Sequence, residues 1–145
     1  MNVIWDREDY EYYAVEKIGN QTLRMGLSQD ECDSDCPKTL YFNIYLSVYS
    51  KRKHATQNEA EKKITGKNPM TTFMVARRMF DELEAECIRG FGADFDVVLY
   101  CTWVDNRRRN AYWKVLSKKG YQWGNIYGQK CIMKRFKKGD FNDFV

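Results

Sequence analysis

Residues 39–50 alternate without a break. Leu40, Phe42, Ile44, Leu46 and Val48 share one parity, while Tyr41, Tyr45 and Tyr49 lie on the other. Period two sustained over this length fits a strand with one face on a core, because a helix would scatter the same residues around its circumference. Thr39–Ser50 is therefore the fixed element around which the rest of the chain is placed. Before it, Tyr10–Ile18 and Gln21–Leu27 are two β-type runs joined by Gly19-Asn20, the pattern of a hairpin. After it, Asp96–Val104 is a short apolar run of the buried-strand type. Tyr121–Tyr127 and Lys130–Phe136 flank Gly128-Gln129 as two closing strands.

Helical spacing occupies the gaps. Asn68 is a good N-cap and Pro69 suits the first helical position. Phe73, Ala76, Phe80, Leu83 and Cys87 then recur every three or four residues, with Met74 and Met79 widening the stripe. Gly90 and Gly92 are expected to close this helix. Asp105 and Asn106 offer caps to a second helix, Asn106–Lys119. Its inner face is marked by Tyr112, Val115, Leu116 and Lys119, and Gly120 ends it. The expected order is β-β-β-α-β-α-β-β, an α/β chain with a mixed sheet. A strand that passes through a helix to another strand implies a parallel pair and a right-handed crossover.

The length of 145 residues suits one domain, and no internal repeat interrupts it. No apolar run approaches the ~18 residues of a membrane span, and the N-terminus lacks the layout of a secretory signal. A cytoplasmic, membrane-free setting follows as the expectation, with the five cysteines as reduced thiols. Cys87 and Cys101 fall on apolar patterns and are expected in the core.

Charge is unevenly spread. Residues 1–36 carry nine acids and three bases, leaving 21 bases and 11 acids in the remainder. Such a basic patch can face a phosphorylated cofactor, a nucleic acid or an acidic protein, or it can be an ordinary lysine-rich solvated surface. Ser28–Lys38 is an acidic loop, and Lys51–Lys63 is polar, with a helical turn around Asn58–Lys63.

Most catalytic constellations are missing. Cys32 and Cys36 with the single His54 make only half of a zinc site, and the acids around them lack the glycine and final glutamate of a calcium loop, so no metal is expected. His54 stands among Lys51, Arg52 and Lys53, which favours exposure over a nucleophile–histidine pair. No phosphate-binding loop follows an apolar strand. Two features remain. Thr65-Gly66-Lys67-Asn68 enters the long helix, where free backbone N–H groups can hold phosphate, although the same residues also make a sound helix start. Arg107, Arg108 and Arg109 open the second helix, where cations oppose the dipole by roughly 0.3–1 kcal/mol each when exposed. Three such residues in succession point to an anionic partner.

From Thr65 to Phe136 the chain resembles a GNAT-type N-acetyltransferase: a loop entering a long helix, then strand Asp96–Val104, helix Asn106–Lys119, the phrase Leu116-Ser117-Lys118-Lys119-Gly120-Tyr121, and two closing strands. Where the family's loop carries Arg or Gln and then two glycines, this chain has Thr65, Asn68 and Met70. The family's general-acid tyrosine falls on Leu116, with Tyr112 one turn earlier. The resemblance implies a splayed mixed sheet with helices on both faces. Acetyl-CoA or another acyl-CoA would lie in the splay, held by Thr65, Gly66, Lys67, Asn68 and Asn106.

On that resemblance, residues 1–64 hold N-terminal strands and a polar loop, 65–136 the acyl-CoA-binding half, and 137–145 a tail. The implied reaction is acyl transfer to an amine, with no general base assigned. The alternative is the same fold without catalysis, a module of the kind found in phage or mobile elements. It would bind an acidic protein or a nucleic acid through Arg107, Arg108, Arg109 and neighbouring aromatics, with Lys51–Lys53 and Lys134–Lys138 as further basic clusters.

Overall fold

The computed structural model describes residues 2–32, 37–50 and 69–140. Among the described residues it is an α+β protein with one mixed seven-stranded sheet and two α-helices. The strands are β1 (Ile4–Asp6), β2 (Glu11–Ile18), β3 (Gln21–Gln29), β4 (Thr39–Ser50), β5 (Asp96–Cys101), β6 (Gln122–Ile126) and β7 (Gln129–Phe136). Helix α1 spans Pro69–Phe91 and α2 spans Asn106–Leu116, the latter continued by a 3-10 turn at Ser117–Lys119. The sheet order is β1-β2-β3-β4-β5-β7-β6. Strands β4 and β5 are parallel, from Thr39↔Asp96 to Asn43↔Tyr100. The β1/β2, β2/β3, β5/β7 and β6/β7 pairs are antiparallel.

The chain divides into two compact units. One comprises Met1–Ser28 and Tyr45–Cys87, the other Gln29–Ile44 and Ile88–Val145. In the first, β2 and β3 pair from Glu11↔Ser28 to Ile18↔Gln21 around Gly19-Asn20. Gly19 has φ +60 and supplies the positive φ that such a two-residue turn requires. Strand β1 is an addition to the expected order: three residues are too short to show periodicity, and Ile4–Asp6 becomes a strand by pairing with β2. Trp5 and Tyr12 reinforce the pair, their ring centroids 4.7 Å apart. The core of this unit contains Ala14, Leu23, Met25, Leu27, Val48, Met79, Phe80, Leu83 and Cys87.

Helix α1 departs from its expected stripe at the start and at the end. Met74 is exposed, and Phe73 and Ala76 are only half-buried, so the buried face is defined by Met79, Phe80, Leu83, Cys87 and Ile88. The helix also runs through Gly90 to Phe91 before it stops, with the Gly92 N–H bonding the Ile88 carbonyl at 2.7 Å. Helix-to-core packing outweighs the modest cost of one glycine.

In the second unit β5 lies between β4 and β7, and residues 97–101 are all buried. This explains why its sequence is continuously apolar rather than alternating. It ends at Cys101 rather than Val104, which is exposed. Strand β6 is shorter than expected, since Tyr121 lies before it, buried, and Tyr127 belongs to the turn. Tyr127 and Gly128 both have positive φ, 55 and 79, the geometry of a type I′ turn. The second helix reaches Lys119 only through its 3-10 turn, and Gly120, with φ 87, supplies the left-handed cap. Of its expected inner face Leu116 is buried, while Tyr112, Val115 and Lys119 are half-buried. Among the described residues no helix is long and apolar enough to cross a membrane.

Candidate functional site

Thr65, Gly66, Lys67 and Asn68 lie outside the described residues, as do His54, Cys36 and Lys51–Lys53. The remaining sequence-derived candidates fall in the second unit, at the start of α2. Asp105 is its N-cap: backbone φ −151 and ψ 166 are extended, and its Oδ1 accepts the Arg108 N–H at 2.8 Å. The same carboxylate takes the Arg108 guanidinium at 2.8 Å through Oδ2. Arg108 thus answers the N-terminal dipole with a counter-charge from the cap itself, and its side chain is only 13% exposed. Arg109 donates from Nε and a terminal nitrogen to the Asn110 side-chain Oδ1 at 3.4 and 3.3 Å. Asn106 and Arg107 are exposed. The three arginines are therefore not equivalent.

Beside this helix the structure assembles a tryptophan cluster. Trp113 of α2 stacks on Trp123 of β6 with centroids 4.5 Å apart and planes inclined by 23°. Trp103, which follows β5, meets Trp123 edge-on at 5.7 Å and 85°. Both arrangements are favoured by the ring quadrupole. Trp123 nevertheless remains 50% exposed, on a strand at the edge of the sheet. The sequence did carry a signal: residues 102–138 contain three of the four tryptophans, eleven bases and a single acid, Asp105.

A second group forms where β4 and β5 end their pairing. Asn43 stands opposite Tyr100 on the last parallel rung, and β4 continues beyond it to Ser50. The Asn43 Oδ1 atom is buried and accepts no hydrogen bond from the described residues. A buried acceptor without a donor costs roughly 1–3 kcal/mol, so its presence needs a reason. The Tyr100 hydroxyl donates to Asp30 Oδ2 at 2.6 Å. Burial first, and then the Asp30 carboxylate, push the Tyr100 phenol well above its ordinary range. The Tyr127 phenol is raised by the same two causes, and its ring lies 6.1 Å from that of Tyr41. Asp30 is thereby tied into this group, where the sequence suggested a solvated acidic loop.

The cysteines offer no nucleophile among the buried positions. Burial holds the Cys101 thiol up at about 12, with Cys131 nearby adding to the effect, and it raises Cys131 and Cys87 as well. Cys32 is exposed. Asp6, Asp9 and Glu11 place carboxylates within 4.8 Å of one another, but Glu11 is already paired with Arg24 at 2.6 Å. Neither Asn43 nor the tryptophan stack is legible in the sequence, because one depends on what the β4–β5 register places opposite and the other on how α2 packs beside β6. No family model, no curated protein and no solved structure matches the chain.

Proposed function

We propose that the chain is a GNAT-like N-acyltransferase, moving an acyl group from acyl-CoA to an amine. The observation that carries this reading is the buried, unpartnered Asn43 Oδ1 at the last rung of the parallel β4–β5 pair. The resemblance puts the coenzyme where the sheet splays, and β4 outruns its registered pairing with β5 from this residue onward. The pantetheine arm of coenzyme A contains amides, whose N–H groups suit an acceptor that nothing among the described residues satisfies. The residues present thus fit an amide-bearing ligand.

When bound, the coenzyme supplies an activated thioester. Asn43 would fix its arm through the amide N–H groups. Positioning of the amine against the thioester then supplies the catalysis, without an assigned general base. The strand order, with a helix linking its parallel pair, also supports the reading.

Calorimetric titration with acetyl-CoA tests it directly. Wild type should bind, and Asn43→Leu should bind about 2–10-fold more weakly, the effect of one lost hydrogen bond. Because the leucine also removes an unsatisfied buried acceptor, the thermal midpoint of Asn43→Leu should stay level or rise. Absence of heat from wild type at millimolar acetyl-CoA would sink the proposal.

A second reading, the same fold used for binding rather than catalysis, is favoured by the exposed tryptophan stack beside a basic helix start.

A further inference from the structure

The stack of Trp113 on Trp123 leaves half of Trp123 open to solvent, on the strand that ends the sheet among the described residues. An indole held flat by a second indole beneath it is a rigid surface, and little entropy remains to be lost when another ring settles on it. The stretch that carries it, residues 102–138, has eleven bases against one acid. Arg109 lies one turn before Trp113 on α2, and its guanidinium bonds the neutral side-chain amide of Asn110. Arg107 is exposed at the start of the same helix. On the β6–β7 hairpin Lys130 stands opposite Asn125. Asn125 is two residues from Trp123, so Lys130 shares the face that Trp123 occupies. Asp105 is the sole acid between residues 102 and 138, and Arg108 already takes its charge.

From this combination we propose that the face formed by Trp123, Trp113 and Trp103, with Arg107, Arg109 and Lys130, binds single-stranded nucleic acid. An unpaired base would stack on Trp123 and the bases of the protein would take the flanking phosphates. Both halves of the surface are needed for the choice of ligand. Stacking rings select a partner that has exposed π faces, which a duplex hides within its own stack and an acidic peptide lacks. Cations without acids select a polyanion. The function also explains why arginines sit where the helix dipole disfavours them. This inference goes beyond the acyltransferase reading and does not depend on it.

Intrinsic fluorescence provides the test, because three of the four tryptophans belong to the cluster. Short oligothymidylate and oligouridylate, titrated separately, should each quench the emission, and the affinity should fall linearly on a log scale as salt rises. Trp123→Ala should weaken binding by about tenfold or more, while Trp123→Phe, which keeps a ring, should weaken it less. The double variant Arg107→Gln/Lys130→Gln should bind more weakly with a shallower salt slope.

A duplex of equal length should bind more weakly than either single strand, and polyglutamate should not compete. Failure of both oligonucleotides to quench would overturn the proposal. So would equal competition by polyglutamate, or equal binding by Trp123→Ala and wild type. Should Trp123→Ala melt early, the comparison of Trp123→Phe with the double variant decides, since a site built on charge alone would lose affinity only in the latter. The acetyl-CoA titration is a separate measurement, so either proposal can fail while the other stands.

Discussion

Arg24 reaches across the β2–β3 hairpin to Glu11, its terminal nitrogen 2.6 Å from the carboxylate Oε1. Its Nε donates to the Tyr45 hydroxyl at 3.0 Å, and its guanidinium lies 4.1 Å above the Tyr13 ring. Glu11 is buried, at 8% exposure, and Arg24 is the cation that meets it there. Burial first raises the Tyr45 phenol, to about 12, and the bond from Arg24 only partly offsets it. Arg24→Met should therefore cost about 1–3 kcal/mol, because it strands the Glu11 carboxylate. The double variant Arg24→Met/Glu11→Leu should recover part of that loss in a double-mutant cycle of urea midpoints. Purely additive losses would show that the two side chains are not coupled.

Leu83 is fully buried on the inner face of α1. Truncation to alanine removes contacts that the surrounding core cannot fully replace, so Leu83→Ala should cost roughly 2–5 kcal/mol. Met74, exposed on the same helix, should tolerate alanine with little change. Denaturation midpoints of the two variants give the comparison, and equal effects would mean that the wrong face has been identified.

Asp96 makes an acid-sensitive contact. Its carboxylate accepts the Lys138 N–H at 2.7 Å and the Arg135 guanidinium at 3.1 Å. The backbone bond first, and then Arg135, hold its pKa below the ordinary 3.8. A depressed folded-state value means stability that is present above 3.8 and lost as pH falls through the folded value. Asp96→Asn should therefore be less stable than wild type at neutral pH, and the gap should close in strong acid. A gap that persists unchanged below 3.8 would assign the effect to packing rather than charge.

Asp105 and Arg107 should separate structure from function at the start of α2. Asp105→Ala removes the cap to the Arg108 N–H and should cost about 1 kcal/mol. Arg107→Gln deletes a cation that opposes the dipole, so thermal stability should hold or improve slightly. A marked fall in the melting temperature of Arg107→Gln would show that this arginine has a structural partner.

The sequence by itself determined the local elements. The alternation of Thr39–Ser50, the Gly19-Asn20 hairpin, the two helices with Asp105 and Gly120 at the ends of the second, and the apolar β5 all follow from periods and caps read within a few residues. The parallel β4–β5 pair followed from connectivity. Tertiary structure decided the rest. Ile4–Asp6 is a strand only because β2 lies beside it. Met74 leaves the core, and Gly90 stays helical, because packing sets how far each face is covered. Asn43 meets Tyr100, and Trp123 meets Trp113, across separations that no periodicity spans. Propensity acts along the chain, whereas an unsatisfied amide or a stacked ring is defined by the residues that other elements bring against it.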